Sequence, residues 1–178
     1  FGLVSACEFR PPGPDQAADP CYAEWRASRS GVYATHGIAC GIAKRSRPEL
    51  PDPDLFVFGF PGLFRGYFPG YSRVLTRSKN AFTWAILKGH TGNNRGTVKL
   101  RSADPRVSPH IDFNYFDPSD ETAAADRDAI VTGIEFVRAI LARGGSEVAE
   151  ELLPGKDVAT RDELGRYVES QAWGHHAS

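Results

Sequence analysis

From about Thr122 to Arg143 the apolar residues Ile130, Ile134, Val137, Ile140 and Leu141 return at intervals of three and four. That spacing gathers them on one face of a helix, and Gly144-Gly145 stands where a helix would stop. A second helical run opens at Thr160. Thr160-Arg161-Asp162-Glu163 has the capping-box order, in which the hydroxyl and the carboxylate each take a free first-turn amide, and Leu164, Tyr167, Val168 and Gln171 continue the period up to Gly174. Near the other end, Asp19 can accept from first-turn amides, and Pro20, which has no N–H, needs no acceptor. The two predict a helix over about Pro20 to Ser30, stopped by Gly31.

Between these helices the period shortens to two. Leu55, Val57 and Gly59 alternate with Phe56, Phe58 and Phe60, which predicts a strand inside a sheet and covered on both faces. Ala81 to His90, Arg95 to Ser102 and Pro109 to Phe116 also read as strands. In the second, Val98 and Leu100 oppose Thr97, Lys99 and Arg101; in the third, Ile111, Phe113 and Tyr115 oppose Asp112 and Asn114. The turn sequence ADPRVSP joins them, so an antiparallel pair is expected. VYATHGIACGIA, from Val32, reads as extended, and GHTGNNRG, Gly89 to Gly96, as a hairpin loop. GLFRGYFPGYSRVL, from Gly62, predicts no regular element, but its aromatics make it a candidate pocket loop or interface. Strands followed by helices define an α+β class with mostly antiparallel pairing.

Composition narrows the function. The 178 residues carry 21 basic and 22 acidic side chains with no run of one sign, so no basic stripe is present for nucleic acid or an anionic membrane. No apolar run approaches the roughly 20 residues that span a bilayer. Cys7, Cys21 and Cys40 are odd in number and widely spaced, which favours reduced thiols and a cytoplasmic setting. The chain opens on Phe, as an internal piece of a longer polypeptide would.

Candidate chemistry is sparse. His175 and His176 are adjacent and would point apart on an extended loop, and His36, His90 and His110 fall on separate elements, so no metal site is expected. No G-x-S-x-G elbow, Walker loop or charge-flanked cysteine appears. What remains is a histidine on a loop, just past a helix end, acting as general acid or base.

Three stretches read together are more specific. HTGNNRGTVKLRSADPRVSPHIDFNYF resembles the segment of the glucose-methanol-choline (GMC) flavin oxidoreductases in which SRG-x-V-x-L-x-S-x-DP is followed by P-x-I and an aromatic NY. ADRDAIVTGIEFVRAIL is similar to that family's next helix. EELLPGKDVATRDELGRYVESQAWGHHAS resembles its approach to the active site, a motif of His, two variable residues and Gly-Thr-Cys, whose first three positions would be His176, Ala177 and Ser178.

The resemblance implies a substrate-binding domain over residues 31–178, preceded by a loop and short helix over 1–30, with about five to six mostly antiparallel strands flanked by helices. It implies FAD as cofactor, an alcohol as substrate, His176 as the acceptor of the hydroxyl proton while hydride passes to flavin N5, and His175 as a support. Ala177 and Ser178 would adjoin the flavin. Phe58, Phe60 and Phe64 are the candidate substrate contacts, with Trp84 as a further wall; Arg65 and Arg73 could meet an acidic group but fit a solvated surface better. The family's Rossmann fingerprint is absent from these residues, so the isolated chain is expected to be inactive and to expose an apolar face toward a flavin domain or a second copy. Two other readings stay open: a GMC-like hydroxynitrile lyase, and a binding module without flavin.

Overall fold

The computed structural model describes residues 7–8, 13–78, 80–144 and 150–174. They divide into two compact units, one holding the residues up to Ile42 together with Val57–Ala85, the other Ala43–Phe56 and the residues from Ile86 on.

In the first unit, helix α1 (Pro20–Ser28) starts as its sequence requires: the Asp19 carboxylate accepts from the Cys21 amide at 3.0 Å and Pro20 occupies the first turn. Arg29, at φ 57°, ends the helix two residues before the glycine expected to do so. Cys21 is joined to Cys7 in a disulfide with a Cα–Cα distance of 5.3 Å. This corrects the expectation of reduced thiols: bridging depends on where the fold brings the α-carbons, which spacing along the chain does not show. Cys40 is free and exposed. The stretch from Val32 is a 3-10 turn over Val32–Ala34, and the chain becomes a strand only at Cys40, after Gly37 at φ 81°.

Strands β1 (Cys40–Lys44), β2 (Leu55–Pro61) and β3 (Phe82–Lys88) form a sheet in that order, each with residues in both units. The amides of Ala39 and Asp54 bond Gly59 and Lys44 carbonyls, and those of Gly62 and Gly89 bond Ala81 and Asp54, as in antiparallel pairs. β2 is central, as its apolar alternation predicts. Its two faces are not equally covered: Leu55, Val57 and Gly59 are buried, but Phe56 is 45% exposed. The expectation of cover on both sides fails because the aromatic half of the alternation faces away from the buried side. Within GLFRGYFPGYSRVL, read as irregular, Tyr71–Arg77 forms helix α2, entered through Gly70 at φ 89°.

In the second unit, β4 (Thr97–Lys99) and β5 (His110–Asp112) pair antiparallel, with Val98 opposite Ile111. Five strands are therefore present among the described residues, as expected in number, but split into sheets of three and two. Gly89 to Gly96 is not a hairpin loop, because β3 and β4 belong to different sheets. Charge holds it instead. The Lys88 ammonium lies 3.6 Å from Asp54 and 3.5 Å from Asp126, and Asp126 accepts from the amides of Gly92 and Asn93.

Helix α3 (Glu121–Arg143) is capped by Asp120, and α4 (Arg161–Gln171) by the full capping box of Thr160 and Glu163. Their contact forms a hydrophobic core cluster: Val131 and Ile134 of α3 against Leu164 and Val168 of α4, with Phe116, Ile130 and Tyr167 packed around them. Gly133 lets α3 approach β3, since a Cβ there would stand 2.6 Å from Ile86 Cγ2. The class is α+β. No helix among the described residues is long and apolar enough to cross a membrane.

Candidate functional site

Two parts of the molecule carry the candidate residues, one in each unit. In the second unit, α4 is fastened to α3 by its buried leucine and valine and by the Arg127–Glu169 ion pair at 2.9 Å. Ala172 leaves the helix in an extended conformation (φ −68°, ψ 145°), its amide still bonded to the Val168 carbonyl. The segment Ala172–Gly174 thus leads off a packed helix and immediately precedes the histidine pair in the sequence. His175, His176, Ala177 and Ser178 themselves lie outside the described residues.

In the first unit the structure brings Phe58, Phe60 and Phe64 together. Phe58 and Phe60, two apart on one face of β2, stack at a centroid distance of 5.9 Å, and Phe60 meets Phe64 edge to face at 6.0 Å. The series continues through Tyr67 and Tyr71, at 5.2 and 6.0 Å from Phe64 and 5.2 Å from each other. Both tyrosines lie in the stretch from Gly62 expected to form a pocket loop or interface, but neither is among the expected substrate contacts. The signal was there, because Phe60, Phe64, Tyr67 and Tyr71 follow one another at intervals of four, three and four.

Local chemistry fixes the loop that holds these rings. The Thr83 hydroxyl donates to the Gly62 carbonyl at 2.7 Å and accepts from the Phe64 amide at 3.1 Å, which pins both sides of Leu63 to β3. Gly62 sits at φ 111°, and a Cβ there would be 2.7 Å from Leu75 Cδ1. Trp84 packs on Phe82 at 5.4 Å, and its buried indole N–H has no acceptor among the described residues. Arg65 and Arg73 are exposed.

Such a set has two chemical capacities. Ring faces present a negative quadrupole that attracts organic cations, and ring edges and side walls take up aliphatic groups. Tyr67, 65% exposed, leaves part of that surface open.

Residues 92–178 match the family model described as GMC oxidoreductase. The similarity extends over 84% of the chain in curated relatives: the mitochondrial choline dehydrogenase of Mus musculus, 32% identical over 157 residues, and the oxygen-dependent choline dehydrogenases of Serratia proteamaculans (strain 568) and Pseudomonas putida (strain KT2440), 29% and 26% identical over 156. The chain spans only about a quarter of their length, 24% of the mouse protein and 25% of the bacterial two.

Proposed function

We propose that this chain supplies the substrate-binding part of an FAD-dependent alcohol oxidoreductase of the GMC family, with His176 accepting the proton of the alcohol. The observation that carries the reading is the family match, which runs through residue 178 and so takes in the histidine motif. The packing of α4, which ends four residues before the histidine pair, supports it. A general base must stay within about 2.6 to 3.2 Å of the proton it takes, which favours a short tether to a packed helix.

Phe58, Phe60 and Phe64, extended by Tyr67 and Tyr71, are the proposed contacts for the body of the alcohol. Their ring faces suit an alcohol bearing an organic cation, the chemistry of the choline for which the relatives are named. His175 supports the orientation of its neighbour. When bound, FAD supplies the acceptor for the hydride. Ala177 and Ser178, which lie outside the described residues, are proposed to adjoin it.

The test is flavin reduction by alcohols in the complete polypeptide that contains these residues, wild type against His176→Asn. The expected result is reduction slowed by about 10² to 10⁴ in the variant, the usual worth of a positioned base, with the oxidised flavin spectrum unchanged. Unaltered reduction in the variant would overturn the role of His176. Cyanohydrin cleavage with no flavin reduction would identify a lyase, and absence of flavin a binding module.

A further inference from the structure

Two residues of α4 conflict with the helix that contains them. Gly165 stands in its interior, where glycine is the least favoured residue after proline, and Glu169 stands in its last turn, where the negative end of the helix dipole opposes a carboxylate. Residues four apart are neighbours on one side of a helix. Arg127 of α3 accounts for both. Its Cδ, Nε and Cζ lie 3.5 to 3.7 Å from where a Cβ on Gly165 would be, so a methyl would just fit and a longer side chain would displace the arginine. Past that notch, its Nη1 donates to Glu169 at 2.9 Å, while Nε and Nη2 donate to Asp128, the next residue of α3, at 3.1 and 3.0 Å.

Arg127 and Glu169 are 34% and 41% exposed, and ion pairs so open to water add little to stability. What the pair supplies is position. The guanidinium is a planar fork, and Asp128 orients it before it reaches α4. The last turn of a helix has carbonyls with no partner and frays unless something holds it. At the first turn of α4, Arg161 pairs with Glu135 of α3. The Glu169 end is the one that adjoins the exit, because the chain leaves the helix at Ala172 and runs on to the histidine pair.

We infer that Arg127 is a positioning residue for the alcohol reaction: by holding Glu169 it keeps the last turn of α4 wound, and so fixes the point from which the chain runs to His176. The inference rests on the proposed function for the identity of the base.

Rapid-reaction flavin reduction in the complete polypeptide, with urea unfolding of the same samples, tests it. Arg127→Met keeps the stem and removes the fork. It should lower the limiting reduction rate about tenfold or more, since misplacement by about 1 Å can cost about 10². The half-saturating alcohol concentration should not change, because the proposed aromatic contacts belong to the other unit. Glu169→Met should match this loss. Arg161→Met, which removes an ion pair at the opposite end of α4, should reduce at the wild-type rate and unfold in urea as Arg127→Met does. Added to His176→Asn, Arg127→Met should slow reduction no further, because a group that acts through the base then has nothing to act on.

A wild-type rate in Arg127→Met, an equal loss in Arg161→Met, or multiplied losses in the double variant would each overturn the inference. A much lower unfolding midpoint in Arg127→Met than in Arg161→Met would do the same, by making the loss one of stability. The two claims fail separately. Unslowed reduction in His176→Asn removes the proposed function, whereas a slowed His176→Asn beside an unaffected Arg127→Met removes this inference alone.

Discussion

In the unit that contains α3 and α4, Val131, Ile134, Leu164 and Val168 are between 0% and 8% exposed and meet across a helix pair. In the unit that contains α1, the series Phe58, Phe60, Phe64, Tyr67 and Tyr71 touches ring to ring while Tyr67 remains 65% exposed. Among its described residues the buried ones are instead the disulfide pair, Val57, Asp19 and two glycines, Gly59 and Gly62. The difference separates two uses of apolar side chains. Aliphatic residues at helical spacing interdigitate and exclude water, which yields stability. Rings on a glycine-bent loop meet at their edges and leave faces accessible, which yields a surface for a ligand.

The largest effect should come from the first use. Leu164 is wholly buried, and Leu164→Ala should cost about 3 kcal/mol, the usual sum of lost transfer energy and the residual cavity. Tyr67→Ala, which removes an exposed ring, should cost under about 1 kcal/mol. Urea unfolding of both variants checks the contrast. A Tyr67 variant as unstable as the Leu164 variant would mean that the aromatic series is core after all.

Next comes the bridge. Cys7 and Cys21 close a loop with a sequence separation of 14, for which the chain-entropy argument gives about 3 kcal/mol as an upper figure. Cys21→Ser should therefore speed hydrogen exchange in α1 by up to about a hundredfold, since 1.4 kcal/mol is about tenfold, and leave α3 unchanged. Equal acceleration in both helices would show that the bridge acts on the whole chain and not on one unit.

The features legible in advance were those written in local chemistry. The capping box at Thr160, the Asp19-Pro20 start and the period of Ile130, Ile134 and Val137 each specify a helix from a few neighbouring residues, and each is found. The β4–β5 pairing was legible from alternation around a turn. The Cys7–Cys21 bridge, the Lys88–Asp54–Asp126 cluster and the exposed side of Phe56 were not, because each depends on residues far apart in the chain meeting or failing to meet. The aromatic site lies between these cases: three of its rings were named from β2 and its loop, and the two tyrosines were missed because only part of their run is helical.

The smallest effect shows itself only in alkali. Tyr33 donates to the buried Asp19 carboxylate at 2.7 Å, and burial, that hydrogen bond and the carboxylate's charge push its pKa up to about 12. A tyrosine titrates near 10 in an unfolded chain, so the fold favours the neutral phenol over the phenolate. The contribution is fully present below pH 10 and is lost as pH rises from 10 through about 12. The protection of α1 against unfolding should be flat from pH 7 to 9 and fall across that window, and Tyr33→Phe should remove this component of the fall. Tyr167, raised by burial and by Glu151, provides an alkaline response in the other unit, so the comparison must be read helix by helix. Phenolate absorbance appearing near pH 10 from Tyr33 would show that the Asp19–Tyr33 contact does not persist in solution, and with it would go the polar anchor of the first unit's leading helix.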